Sequence, residues 1–206
     1  MYQPQKSPLL FKFFSWYIVY ILRKDFSSYN FNQIPVKHDE AVLLLSNHFS
    51  WWDGFLMFQL NRLSFKKKFH VLVTNEDYEN TWYLKYVGAF AAINKGKDVV
   101  ETLTYAGELL DNADNLVLVF PQGRLHTSYA DSIVFEKGVM QIINASKKKF
   151  QIVFSATLVD YFHKRKPGAR SYLRNWEAEE YMSLQLLKSE YNKHYDQAIK
   201  QQMEQV

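Results

Sequence analysis

The chain has no cysteine, which excludes disulfides, a thiolate nucleophile and any cysteine-ligated zinc or iron–sulfur site. That lack also fits a reducing compartment. Glycine is scarce, at 7 of 206 residues, and neither G-x-x-x-x-G-K-[ST] nor G-x-G-x-x-G occurs, so a glycine-rich nucleotide-binding loop of either kind is ruled out. No apolar run reaches the about 20 residues of a membrane-spanning helix. Internal repeats and low-complexity stretches are missing as well.

Apolar bulk is plentiful. Hydrophobic residues make up 48% and aromatic residues 17%, which argues against disorder and suits one domain with a sizeable core, or one domain with a small appendage. The net charge of +4 and pI near 9.0 fit an anionic partner without choosing among lipid headgroups, a phosphorylated substrate and nucleic acid.

The first apolar stretch, Leu9–Leu22 (LLFKFFSWYIVYIL), carries Lys12 and is too short to span a bilayer. No small-residue cleavage site follows it; Arg23, Lys24 and Asp25 do, unlike a signal peptide. Two readings remain equal on these residues alone. One is a helix lying in the bilayer interface, its aromatics inserted and Lys12, Arg23 and Lys24 near headgroups. The other is an ordinary helix packed on the core. Residues 1–34 are therefore set apart as an N-terminal helical segment from a main domain over residues 35–206.

Beyond Pro35, short apolar runs alternate with longer amphipathic ones. Strands are expected at Ala41–Ser46, Phe69–Thr74, Asn115–Phe120 and Gln151–Val159, with a strand or turn at Gly88–Asn94. Helices are expected from about Trp52 to Leu63, near Glu79–Tyr86, from Val99 to Leu110 with Asp98 as N-cap, and over Gly138–Ser146. The polar stretch Glu177–Gln205 is helix-forming, and His163–Arg170 is a basic loop. This alternation implies an α/β fold, a layered sheet, mixed or largely parallel, flanked by helices.

In such sheets the reacting groups gather at the carboxyl ends of strands. The first strand end carries Ser46-Asn47-His48-Phe49-Ser50-Trp51-Trp52-Asp53. On one continuous helix His48 and Asp53 would point about 140° apart, but a strand–loop–helix turn can fold them together. Asp53 would then hold one ring nitrogen and leave the other free to take a proton from an alcohol. The spacing alone is weak. Chance supplies about 0.3 such His–Asp pairs in this composition, and a second, His126 and Asp131, is present. The plainer reading is that Asp53 caps the following helix.

A second cluster, Phe120-Pro121-Gln122-Gly123-Arg124, ends the clearest strand. Its turn can expose backbone N–H groups, and Arg124 can grip a phosphate or carboxylate. Phe135-Glu136-Lys137-Gly138 opens the next helix, where Lys137 sits beside an anion-attracting N-terminus. A third cluster, Gly88–Lys97, brings Lys95 and Lys97 as phosphate contacts; as isolated lysines they read simply as solvated.

Taken in order, these clusters resemble the glycerolipid acyltransferase family typified by lysophosphatidic acid acyltransferases. N-H-x-x-x-x-D is matched by Asn47, His48 and Asp53, and the second motif falls at Gly88–Asn94. The F-P-E-G-T-R motif is read as Phe120–Leu125, the following F-K-x-G segment as Phe135–Gly138, and the apolar fourth motif as Gln151–Val159. The resemblance implies direct acyl transfer from acyl-coenzyme A or acyl carrier protein to a lipid hydroxyl or amine, with no metal or bound cofactor. It assigns His48 as general base, Asp53 as its orienting carboxylate and Gly123 amides as oxyanion donors. Asn47, Gln122, Arg124, Lys95, Lys97 and Lys137 would bind substrate, and the protein would sit peripherally at the cytoplasmic face of a membrane, on anionic phospholipid. Gln122 stands where glutamate is usual, Arg124 and Leu125 replace Thr-Arg, and Asn94 occupies the place of a phosphate-binding arginine. These departures point away from glycerol 3-phosphate and lysophosphatidic acid unless Arg124, Lys95 or Lys97 substitutes.

Three alternatives stay open: a non-catalytic lipid-binding relative, a thioesterase-like hydrolase, and a nucleic-acid binder. The last is suggested by the basic runs Lys66–Lys68, Lys147–Lys149 and Lys164–Lys166, which read more simply as solvated loops or membrane-facing patches, so no nucleic-acid partner is expected.

Overall fold

The computed structural model describes residues 1–177 and 182–205. Runs such as Ala41–Ser46 and Asn115–Val119 are buried at every position, the mark of strands covered on both faces. They form the middle of a seven-stranded sheet ordered β1-β7-β6-β2-β5-β3-β4. The strands are β1 (Ser28–Phe31), β2 (Ala41–Ser46), β3 (Lys68–Leu72), β4 (Ala89–Phe90), β5 (Asn115–Val119), β6 (Phe150–Asp160) and β7 (Gly168–Trp176). Neighbours from β6 through β4 pair in parallel; β7 turns back antiparallel on β6, and β1 pairs in parallel with β7. The mixed, mostly parallel α/β sheet expected from the alternation is present.

Helices cover both faces. On one side α1 (Pro8–Asp25) and α2 (Asp53–Leu60) pack over Val42, Leu44, Leu116 and Leu118. On the other, α4 (Lys97–Leu109), α5 (Gly138–Ala145) and α6 (Leu184–Met203) close over Leu43, Leu45, Val117 and Phe154. A short α3 (Asn75–Asn80) follows β3.

Several local expectations shift. The helix from Trp52 stops at Leu60 and widens into a π turn, Asn61–Phe65, ended by Lys66 in the left-handed region (φ 55°). The helix expected near Glu79–Tyr86 divides into α3 and a 3₁₀ turn, Leu84–Val87. Asp98 does not cap α4. Gly96 holds that position, and the Asp98 carboxylate sits in the first turn, accepting the Asn94 backbone and side-chain amides at 3.1 and 3.0 Å. Strand β7 begins at Gly168, within the expected basic loop; the half-buried Arg170 and Arg174 break up its run of buried residues and mask it in the sequence. The helix foreseen in Glu177–Gln205 is α6; its first part, 178–181, lies outside the described residues.

The N-terminal segment does not stand apart from the sheet. β1 is one of its strands, and Phe14, Ile18 and Leu22 of α1 join the core, each burial stabilising by about 1.5–3 kcal/mol. The division between 1–34 and 35–206 therefore runs through one packed body. The opposite face of α1 is just as apolar and faces outward: Leu9 is 82% exposed, Phe13 52%, Trp16 61% and Tyr20 50%. Among the described residues no helix is long and apolar enough to cross a membrane.

One buried polar group gives the fold a pH dependence. His194 on α6 is 6% exposed and donates from Nε2 to the Tyr172 carbonyl at 2.9 Å; burial lowers its pKa below the usual 6.5. The folded state therefore holds it neutral, while the unfolded chain protonates near 6.5. Stability is full above that pH and is lost as pH falls through the lowered folded value. His70 on β3, also lowered by burial, acts in the same direction. In His194→Gln, where an amide can keep the donor, the fall of Tm between pH 7 and 5 is expected to be shallower but not abolished. An unchanged Tm–pH slope would exclude His194 as a source.

Candidate active site

The loop after β2 is organised by one carboxylate. Asp53, 2% exposed, is the first residue of α2. It does not cap that helix; the cap position, Trp52, makes no side-chain cap bond. Its Oδ2 instead accepts the Phe49 and Ser50 backbone N–H groups at 2.6 and 2.7 Å, and its Oδ1 accepts the Ser50 hydroxyl at 3.0 Å. The same Oδ2 lies 3.2 Å from His48 Nδ1. A buried carboxylate is affordable only with such charge-assisted partners. Because Asp53 can only accept, Nδ1 carries the proton and Nε2 presents its lone pair.

The imidazole is fixed from two further directions. Its ring stacks on Phe120 at a centroid distance of 4.1 Å and 14° between planes, a contact worth roughly 0.5–1.5 kcal/mol. Its backbone N–H donates to Gln122 Oε1 at 2.6 Å, and its carbonyl accepts from the His126 N–H at 3.0 Å. The loops after β2 and β5, neighbours in the sheet, are thus stitched at His48. His126 and Asp131, the pair with identical spacing, make no hydrogen bond or ion pair with each other.

His48 opens on a cavity of about 970 Å³ at the carboxyl edge of the sheet. Its lining includes Ile18 of α1, Phe55 and Phe58 of α2, Phe69 of β3, and Val99, Thr102 and Leu103 of α4. Polar groups gather at the mouth: Arg124, Lys95 and Asn94, with Glu76 and Asp77 of α3 between them in strand order. Trp51, about half exposed, stands beside His48.

Of the residues singled out as a site, the structure brings His48, Asp53, Gly123, Arg124 and Lys95 to this cavity or directly behind it. Four others fall elsewhere. Asn47 is fully buried and clamps Thr157 of β6, its Nδ2 donating to the Thr157 carbonyl at 2.9 Å and its Oδ1 accepting the Thr157 N–H at 2.7 Å. It therefore has no atom left for substrate. Gln122, 2% exposed, uses its side-chain carbonyl on the His48 N–H and does not line the cavity. Lys97 and Lys137 are exposed on the starts of α4 and α5 and do not line the cavity.

Gly123 adopts φ +69°, as a turn with little room for a side chain requires, but its N–H donates to the Phe120 carbonyl at 3.0 Å. Of the amides at this turn, the expected oxyanion donors, that of Gly123 is thus engaged, whereas among the described residues the N–H of Arg124 has no protein acceptor. Thr157 escaped notice in the sequence because its contact with Asn47 spans 110 residues and rests on main-chain atoms, which leave no side-chain signature.

A family model for acyltransferases matches residues 28–157, from β1 through the Asn47–Thr157 clamp. The chain belongs to the acyltransferase family. This is the family of glycerolipid acyltransferases whose motifs the ordered clusters resemble, and its membership supports an enzyme of acyl transfer. A comparison with curated proteins gives no match.

The stitching of His48 by Gln122 is testable by substitution. Gln122→Leu leaves a part-buried N–H without a partner, expected to cost about 1–3 kcal/mol of stability and to lower turnover. Gln122→Glu retains an accepting oxygen and is expected to keep Tm and turnover close to the parent. Equal losses in both variants would show that the amide does something other than accept this bond.

Proposed function

We propose that this acyltransferase transfers a fatty acyl group from a thioester donor, acyl-coenzyme A or acyl carrier protein, to a hydroxyl of a lipid-like acceptor at a membrane surface. The observation that carries this reading is the His48–Asp53 pair, with Nε2 directed at a largely apolar cavity. The acceptor hydroxyl loses its proton to Nε2 as its oxygen attacks the thioester carbonyl. The C–O bond forms, the C–S bond breaks, and the proton passes to the departing thiolate. Asp53 holds the tautomer and stabilises the imidazolium. The Arg124 amide, which has no protein acceptor among the described residues, is the donor available to the negative charge that develops on the carbonyl oxygen.

The apolar lining contributed by α1, α2 and α4 suits acyl chains lying beside His48. Arg124 and Lys95 supply positive charge for an anionic headgroup in place of the arginine that Asn94 replaces. Asn94 itself is held by Asp98. The outward stripe of α1, Leu9, Phe13, Trp16 and Tyr20, with Trp82 at 57% exposure, supports peripheral docking in the bilayer interface.

Incubation with a labelled acyl thioester and a panel of lysolipids and other lipid alcohols tests the reaction. His48→Ala is expected to reduce transfer by about 10²–10⁴-fold with the fold intact, and Asp53→Asn by a loss of similar order. Turnover surviving in His48→Ala would remove the base assignment; free fatty acid as the only product would favour hydrolysis. Arg124→Ala is expected chiefly to raise KM, and a pure kcat effect would place Arg124 at the reacting centre instead. Phe13→Ser with Trp16→Ser is expected to weaken co-flotation with lipid vesicles several-fold, whatever their charge; unchanged flotation would reject α1 as the docking face.

A further inference from the structure

The three basic runs of the sequence differ in what surrounds them. In Lys66–Lys68, the Lys67 ammonium donates to the Ala113 and His38 carbonyls at 2.5 and 3.3 Å, and Lys68 pairs with Asp114 at 3.6 Å. In Lys147–Lys149, the first two backbone N–H groups are held by Asp111 at 2.7 and 3.0 Å, and Lys149 pairs with Glu40 at 3.7 Å. Both runs are partly neutralised, each by one lysine–carboxylate pair.

The third run is not. It forms the tip of the β6–β7 hairpin, with Tyr161 60% and Phe162 47% exposed beside the exposed His163, Lys164 and Arg165. Among the described residues neither Lys164 nor Arg165 has a carboxylate within 4.0 Å. Nearby acids are few: Asp160 is held by the Gln202 amide at 2.7 Å, and Asp25 ends α1.

Position matters as much as composition. Ser155 of β6 lies level with Ser46, the end of β2, and β6 continues to Asp160, about 16 Å further at roughly 3.3 Å per residue. The tip therefore projects from the edge of the sheet that carries His48. It is also fastened to the end of α1. The Ser27 N–H donates to the Pro167 carbonyl at 2.8 Å, and the Lys166 ammonium caps the Lys24 carbonyl. Arg23 and Lys24, both exposed in the last turn of α1, add to the same cationic patch. Phe162 adopts φ 45°, within the turn closed by the Lys164 N–H to the Tyr161 carbonyl at 2.9 Å. A bulky residue there costs about 1–2 kcal/mol, and nothing in the core repays it, since the ring is half outside.

We infer that this hairpin tip, with the basic end of α1, is a second membrane contact that selects anionic lipid. Tyr161 and Phe162 enter the headgroup region while Lys164, Arg165, Arg23 and Lys24 lie against phosphate. This inference rests on the membrane-surface reading above and adds lipid charge selectivity to it. The stripe on α1 contributes apolar affinity, and the tip contributes charge at the catalytic edge, so that the cavity mouth faces an anionic patch of bilayer.

Co-flotation of the full chain with phosphatidylcholine vesicles, and with vesicles partly composed of phosphatidylglycerol, separates the two contributions. The parent protein is expected to prefer the anionic vesicles, the more so at low salt. Lys164→Ala with Arg165→Ala is expected to reduce that preference roughly 10–30-fold, leaving binding to neutral vesicles and Tm unchanged. Phe13→Ser with Trp16→Ser lowers binding to both kinds alike. Retention of the full preference in the hairpin variant overturns the inference while the α1 reading stands. A parent protein that floats with neither vesicle overturns both. Binding of a single-stranded oligonucleotide that the hairpin variant loses, with no vesicle preference in the parent, assigns the tip to nucleic acid and overturns it as well.

Discussion

A buried carboxylate has to be answered by donors, and in this protein that requirement shapes the catalytic edge. Asp53 collects two main-chain amides, a serine hydroxyl and an imidazole N–H, all from the six residues that precede it. Satisfying the charge forces the chain between β2 and α2 to wrap around it, and that wrap brings His48 from a strand end to the cavity. The Phe120 ring and the Gln122 carbonyl then bind His48 to the adjacent strand end. The imidazole is thereby held with little remaining freedom at the edge of the cavity.

Behind the site lies a second polar layer. Asn47 clamps the backbone of Thr157, whose hydroxyl contacts Ser171 at 2.8 Å, and Ser171 contacts the Tyr29 hydroxyl at 3.0 Å. Tyr29 is partly buried, and desolvation drives its phenol pKa upward, so it remains a neutral partner at physiological pH. This layer joins β1, β7, β6 and β2 beneath the catalytic loop. It gives the polar residues at these positions a structural use that competes with substrate binding, and at Asn47 the structural use takes every side-chain hydrogen-bonding atom.

Much of the fold could be read from the chain because its central strands are uninterrupted apolar runs. AVLLLS and NLVLV, short apolar runs bounded by polar or turn residues, read as strands covered on both faces. The strands on one side of the sheet are harder to read: the edge strand Ser28–Phe31 is short and half polar, and Arg170 and Arg174 disguise its neighbour β7. The His48–Asp53 contact was legible as a possibility, since a strand–loop–helix turn permits it and a helix forbids it. What no spacing shows is which polar side chains face solvent and which are consumed by the backbone. From the sequence alone Asn47 and Gln122 read as substrate contacts and the turn amides as free donors, whereas in the structure partners far along the chain engage Asn47 and the Gln122 oxygen, and the turn itself engages the Gly123 N–H. The N-terminal helix resolves differently: both of its competing descriptions had an apolar face in view, and the helix has two.

The decisive observable is the protonation of the His48 ring itself. Long-range ¹H–¹⁵N correlation spectroscopy of the labelled protein at neutral pH, with the His48 signals assigned by their loss in His48→Gln, reads which nitrogen carries the proton. A protonated Nδ1 with a bare Nε2 is the expected result, and the reverse tautomer would contradict a base held by Asp53 and aimed at the cavity.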